Sequence, residues 1–131
     1  MRKDGIVNQN LLNIIGSLGH TDRIVVCDVG LPIDKKVERI DLSITKGVVK
    51  FMDVLKPLLN ELVVEKIFLA QEIVTKSPAM YHEITALTKG IPLELVSHED
   101  FKKLTKDTKA IIRTGECTPY ANIILQSGVN F

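Results

Sequence analysis

Four short segments carry the polar, titratable residues whose placement suggests chemistry. "LGHTDRIVVCDVGLP" (18–32) puts His20 in a break before an apolar run and Asp28 at the exit of that run. Imidazole titrates near neutral pH, so His20 has the chemistry of a general acid/base. It also follows a helix-ending glycine, where the last carbonyls stabilise a charged histidine, so a capping role stands beside the catalytic one. Asp28 precedes Val29-Gly30-Leu31-Pro32. It is either a turn aspartate closing onto backbone N–H groups or a polar group at the carboxyl end of a central strand. "SHED" (97–100) has the S-x-x-D spacing of a helix N-terminal capping box, which makes His98 the first helical residue. The helix dipole there favours neutral imidazole, which donates one hydrogen bond and accepts another, as a sugar hydroxyl requires. "TPYAN" (118–122) offers Tyr120 and Asn122, which share a face if the segment is extended. A phenol and an amide so placed suit hydroxyl recognition, or form an aromatic anchor beside a turn amide.

The remaining candidates offer less. His82 lies off the apolar stripe of its segment and is expected on the surface. Cys27 and Cys117 lack CxxC spacing, and no motif activates Cys117, so structural, reduced thiols in a cytoplasmic protein are expected. The three histidines have no metal-ligand spacing, and both GxGxxG and the P-loop are absent. Neither a metal nor a nucleotide cofactor is therefore expected. The net charge is +1 with no Lys/Arg block, which disfavours nucleic acid and anionic membranes as partners. No apolar stretch approaches the ~20 residues of a membrane span, and "MRKDGIVNQN" does not resemble a signal peptide.

The elements that must position these residues alternate between two periods. At 131 residues, 45% of them hydrophobic, the chain (1–131) is expected to be one domain with a proper core. Leu11, Ile14, Ile15 and Leu18 form a helical stripe, with Asn8 as N-cap and Gly19 as the residue beyond the end. "RIVVCD" is a short strand and "VERIDL" an edge-like one. Leu55, Leu58, Leu59 and Leu62 repeat the helical stripe, although Pro57 obscures where that helix starts. "VEKIFLAQEI" is a strand, and Ser77-Pro78 opens a helix that runs through Met80, Ile84 and Leu87 to Gly90. "PLELVS", "KAIIRTG" and "ANIILQSG" are strands, with the "HEDFKKLTK" helix between the first two. The alternation predicts an α/β fold: a mostly parallel central sheet flanked by helices. Ligands bind such sheets beyond the carboxyl ends of the strands, so Asp28, His98 and Thr114-Gly115-Glu116 are expected on one rim. The apolar ending with Val129 and Phe131 is expected to dock, on the chain's own core or on a partner.

Composition and periodicity stop there; longer strings go further. "GIVNQNLLNIIGSLGHTDRIVVCDVGLPI" and "SHEDFKKLTKDTKAIIRTGECTPYANIILQSGVNF" resemble the two ends of the D-ribose pyranase family, which is related to the fucose mutarotases. The resemblance spans the chain and is loosest between about Thr45 and Pro92. It implies a cofactor-free isomerase that interconverts the β-pyranose and β-furanose forms of D-ribose and supplies the furanose to ribokinase. It further implies that His20 is the acid/base and that Asp28, His98 and Tyr120-Ala121-Asn122 bind the sugar; from the residues, Asp28 either orients the His20 imidazole or grips a hydroxyl. The family's assembly implies a ring-shaped homo-oligomer, a decamer of two pentamers, with active sites between neighbouring subunits. The rival reading is a non-catalytic sugar-binding or regulatory module of a ribose transport system, which the lack of tryptophan platforms disfavours.

Overall fold

The computed structural model describes residues 1–131. Helix α1 (Gln9–Ser17) starts at its cap: the Asn8 side-chain oxygen accepts the Leu11 N–H at 3.0 Å. That satisfies one of the donors a helix start leaves without an intrahelical partner. Leu11 and Ile14 are buried and Ile15 and Leu18 pack beside them, so the apolar stripe is the inward face. The helix exit differs from expectation. Gly19 does not take the left-handed conformation; its N–H is held by the Asp22 carboxylate at 2.8 Å, and Thr21 takes the positive φ of 69° instead. The Thr21 N–H donates to the Ser127 carbonyl, which ties this break to the far end of the chain.

Strands β1 (Arg23–Cys27), β2 (Glu38–Asp41), β3 (Val64–Ala70), β4 (Leu93–Val96), β5 (Ala110–Arg113) and β6 (Ile123–Ser127) form one sheet in the order β2-β5-β1-β6-β3-β4. β5 pairs in parallel with β1 and β2, and β3 with β4, while β6 runs antiparallel to both β1 and β3. Five strands therefore share one direction and β6 alone is reversed. β2 is an edge strand with Ile40 as its one buried residue, as its charged sequence implies.

Alternation along β1 explains the layers. Ile24 and Val26 face helices α1, α2 (Phe51–Glu61), α3 (Ile73–Lys76) and α4 (Pro78–Leu87). Val25 and Cys27 face the opposite layer, where Phe101 of α5 (His98–Thr105) packs with Leu31 and Val37. Burial on both faces is why this strand is an unbroken apolar run. α2 starts at Phe51, so Pro57 sits inside the helix. The proline lies on the exposed side, where water can satisfy the carbonyl it leaves unpaired. Ser77-Pro78 does open α4, but the Ser77 hydroxyl donates to the Pro119 carbonyl at 2.7 Å rather than capping the helix. The one-turn helix α3 carries no sequence signal of its own. The apolar terminus does not dock on its own core: Val129 is 39% exposed and Phe131 fully so.

Gly115 shows how tightly the exit of β5 is held. Its carbonyl accepts the Gly47 N–H and its N–H donates to the Val49 carbonyl, both at 2.7 Å. A Cβ at this position would collide with the Val48 carbonyl and lie 2.7 Å from the Thr45 oxygen, both backbone atoms. Gly115→Ala is expected to lower stability by about 1–3 kcal/mol, the range for overpacking a close contact. Urea unfolding measures this as a lower midpoint at unchanged slope; a midpoint equal to the parent's would show that the 43–49 loop yields freely.

Candidate functional site

The reversed strand builds the site. Because β6 runs against its neighbours, its entry lies at the rim where β1, β3 and β4 exit. Asp28 follows β1, Glu72 follows β3, His98 follows β4, and Tyr120 and Asn122 precede β6. Of these, all but Glu72 line a cleft of about 260 Å³, together with Gly30, Leu31 and Pro119. This is the crevice beyond the strand carboxyl ends where α/β sheets bind ligands.

Asp28 and Asn122 hold each other. The Asp28 N–H donates to Asn122 Oδ1 at 2.8 Å, and Asn122 Nδ2 donates to Asp28 Oδ2 at 3.2 Å. This reciprocal pairing fixes the orientation of the amide. Asp28 Oδ1 accepts the Gly30 N–H at 2.9 Å, so the turn reading of Asp28 is also realised. Burial pushes the Asp28 carboxyl above its ordinary value of 3.8; hydrogen bonds from Gly30, Asn122 and Leu31 and the nearby His98 offset this only in part. The result is a desolvated acceptor, which interacts more strongly with a ligand hydroxyl than a solvated carboxylate does.

His98 is set from three directions. Ser97 Oγ accepts the Asp100 N–H at 3.1 Å, forming the predicted cap. The His98 N–H donates to both oxygens of Glu72, at 3.0 and 3.1 Å. The imidazole meets the Tyr120 ring edge-on, with centroids 5.1 Å apart and planes at 85°. Its Nδ1 is buried without a protein partner, which leaves a hydrogen-bonding atom available beside the cleft. Tyr120 and Asn122 share the cleft, though not through an extended segment. Tyr120 has φ of 63°, the Ala121 N–H donates to Thr118 and the Asn122 N–H to Tyr120, so a tight turn aims them together. Ala121 is wholly buried in the core beneath. A carboxylate, an imidazole, a phenol and an amide around a small cleft offer several directed hydrogen bonds and no cationic clamp, which suits a neutral polyhydroxylated molecule.

Other expected residues fall elsewhere. His20 lies at the opposite, amino rim, and β1 alone spans about 17 Å at ~3.3 Å per residue. Its Nε2 is 2.9 Å from Glu65 Oε2, and the ring is half-exposed. It borders a second groove of about 340 Å³, walled by Ile15, Leu18, Leu62, Val63 and the chain end Val129–Phe131. Within one chain, His20 and Asp28 are therefore not a pair. Thr114, Gly115 and Glu116 support the carboxyl rim without lining the cleft. The Thr114 hydroxyl donates to the Cys27 carbonyl at 2.7 Å, and Glu116 Oε1 accepts the Phe51 N–H at 3.1 Å, which caps α2. His82 is exposed. Cys27 is buried, and desolvation pushes its thiol up to about 12, so it stays protonated and inert. Cys117 is exposed, contrary to its reading as a structural thiol, because the turn beyond β5 turns it outward. No group of three or more His, Cys, Asp or Glu side chains is placed to hold a metal ion, and no helix is long and apolar enough to cross a membrane.

Sequence reasoning missed Glu72 and Glu65. Glu72 had a usable signal, since it follows an apolar strand just as Asp28 does. Glu65 had none, being an acidic residue at the start of an otherwise ordinary strand.

Known proteins share both the sequence and this architecture. The chain is 55% identical over 131 residues to the D-ribose pyranase of Geobacillus thermodenitrificans, covering 100% of this chain and 99% of that relative. RbsD of Bacillus subtilis, solved in complex with D-ribose, matches with a TM-score of 0.97 at 48% identity, with all of both chains covered. The fucose mutarotase of Streptococcus pneumoniae, solved with L-fucose, matches 95% of each chain with a TM-score of 0.78 at 25% identity. The RbsD / FucU transport protein family model matches residues 1–130, and the chain belongs to that family.

Proposed function

We propose that the protein is an isomerase that interconverts the β-pyranose and β-furanose forms of D-ribose and feeds ribokinase in the cytoplasm. The observation that carries this reading is identity of about half, over the whole chain, to relatives named D-ribose pyranase. The ribose complex of the Bacillus subtilis relative supports the choice of sugar. Asp28, His98 and the Tyr120-Ala121-Asn122 segment grip the hydroxyls, with Ala121 contributing through its backbone. His20 is the acid/base. It takes the proton of the anomeric hydroxyl as the C1–ring oxygen bond breaks, and the ring oxygen receives a proton in return. Closure through a different hydroxyl reverses these steps. Protons and electrons balance within the sugar and one imidazole, so the reaction calls for no redox or metal cofactor. The uncatalysed exchange proceeds in water, and positioned acid–base catalysis adds ~10²–10⁴-fold.

Assembly belongs to the same proposal. His20 and the cleft lie at opposite rims, so a complete site needs His20 of one copy beside the cleft of another. The mixed groove next to His20, with Ile15, Leu18, Leu62 and Val63 in its wall and Val129 and Phe131 exposed at its edge, supports a neighbouring copy covering that rim. The proposed form is a ring-shaped homo-oligomer, a decamer of two pentamers.

Saturation-transfer NMR of ribose tests the activity. Exchange between ring forms is expected to accelerate with catalytic amounts of protein. A transport-type binder, the role that the family description names, would change signals only in proportion to its own concentration. His20→Ala is expected to stay folded and slow exchange by ~10²-fold or more, while binding persists; parental exchange would remove His20 from the mechanism. Refolding His20→Ala together with Asp28→Asn is expected to restore activity, in roughly one site in four for random assembly of a shared interface. Failure to complement, or a monomer in light scattering at micromolar concentration, would overturn the shared site.

Asp28→Asn also reports on burial. A carboxyl whose folded value is raised costs stability once it ionises. That loss sets in above the ordinary value of 3.8 and grows as pH rises through the raised one. The melting temperature of the variant relative to the parent is therefore expected to rise as pH increases above 3.8, because only the parent carries the ionisation cost, and ribose binding is expected to weaken. Equal melting temperatures at all pH values would show that the carboxylate carries no folding cost.

A further inference from the structure

The amino rim contains a hydrogen-bonded series that the cleft does not explain. Glu65 Oε2 faces His20 Nε2 at 2.9 Å, and its other oxygen accepts from Gln126 Nε2 at 2.7 Å. Gln126 Oε1 accepts from Arg23 Nε at 2.9 Å, and the Arg23 guanidinium lies 4.5 Å above the Phe68 ring. Three adjacent strands thus converge on one carboxylate, with Arg23 and Gln126 directly paired.

The backbone is shaped for this contact. Val64 pairs with Ser127 and Lys66 with Gln126, which leaves Glu65 as an extra residue in β3. In an unbroken strand, Glu65 and Lys66 would project to opposite faces. An inserted residue re-aims its side chain, and here the carboxylate reaches Gln126, the partner of Lys66. Gly128 passes alongside, where a Cβ would lie 3.2 Å from that of Glu65. Hydrogen bonds from Gln126 first, then His20, hold the Glu65 carboxyl below its ordinary value of 4.5. It is therefore ionised at neutral pH and can only accept hydrogen bonds.

We propose that Glu65 is the positioning residue for His20: it accepts the Nε2–H, fixes the ring's tautomer and orientation, and leaves Nδ1 to exchange protons with the sugar. This rests on the reading of His20 as the acid/base. Nδ1 takes the anomeric O–H proton, that O–H electron pair becomes the new C=O bond, and the ring C–O pair moves to the ring oxygen. The imidazolium then returns its proton to the ring oxygen. Glu65 steadies the transient imidazolium through Nε2 and stays ionised throughout, the division of labour seen where a carboxylate orients a catalytic histidine.

The test combines kinetics with ¹⁵N NMR of the His20 ring in the assembled protein, at a pH where the ring is neutral. The parent is expected to carry its proton on Nε2. Glu65→Gln is expected to lower kcat by about 10- to 100-fold, the usual range for losing an orienting partner, with KM, oligomer size and melting temperature near parental. The His20→Ala/Glu65→Gln double variant is expected to be no slower than His20→Ala alone, because Glu65 acts only through the imidazole. A parental Nδ1–H tautomer, or parental kcat in Glu65→Gln, would overturn the positioning role while leaving His20 in place. Full activity of His20→Ala would instead overturn the reading beneath it. Should Glu65→Gln fail to fold, the parental tautomer still decides, and Gln126→Leu, which removes one support of the carboxylate, is expected to lower kcat in the same direction.

Discussion

The polarity of one buried strand constrains everything else in the molecule. β1 is enclosed on both faces and paired on both edges, parallel to β5 and antiparallel to β6. It cannot bend to bring its ends together. His20 before it and Asp28 after it are thus held apart by the length of the strand, although they are only eight positions apart in sequence. A chain built this way presents two separate chemical surfaces. One rim offers a cleft of directed hydrogen-bonding groups; the other offers a half-exposed imidazole beside a groove of mixed polar and apolar lining. On the proposed reading, association supplies what the strand forbids, and quaternary structure becomes part of the active site rather than an addition to it.

The reversal of β6 gives each rim its second contributor. Placed between β1 and β3, it brings Asn122 to the exit of β1 and Gln126 to the start of β3. A parallel sixth strand would deliver the same two residues to the wrong rims. The two amides then play matching parts: Asn122 holds the Asp28 carboxylate and Gln126 the Glu65 carboxylate. The environments differ, and so do the consequences. Asp28 is desolvated enough for burial to outweigh its hydrogen bonds, whereas at the more open Glu65 hydrogen bonding prevails.

The strands and most helices were legible because burial on one or both faces leaves a period in the sequence. β1, β3 and β5 are apolar runs for that reason, and the Asn8 and Ser97 caps announce their helices. The cleft was partly legible, because the rule that ligands bind beyond strand exits picks out Asp28 and His98. Features created by pairing were not. The extra residue at Glu65 exists only relative to the partner strand, and the Ser77 hydroxyl was drawn from its helix by the Pro119 carbonyl, 42 positions away. The left-handed turn at Tyr120 likewise depends on how the chain re-enters the sheet. His20 and Asp28 lie close in sequence yet at opposite rims, because a strand separates what it connects.

The proposed chemistry explains why so few groups suffice. Opening a hemiacetal moves protons and one C–O bond within a molecule that already reacts in water. A site for it need not exclude solvent or hold a strongly perturbed nucleophile. It needs a group that gives and takes a proton near neutral pH, and a grip that keeps the sugar in register while the ring is open. The grip is the harder part, since an open-chain sugar is flexible and its hydroxyls are already satisfied by water. On the proposed reading, desolvating Asp28 meets that demand, because an acceptor stripped of water gains more from a sugar hydroxyl than a solvated one does. The cost is a carboxylate that resists ionisation in the folded chain, which the Asn122 and Gly30 hydrogen bonds reduce without cancelling. On the proposed reading, the fold concentrates its electrostatic strain at Asp28, where the sugar is held, and leaves the acid/base to the opposite rim, where a second copy brings it to the cleft.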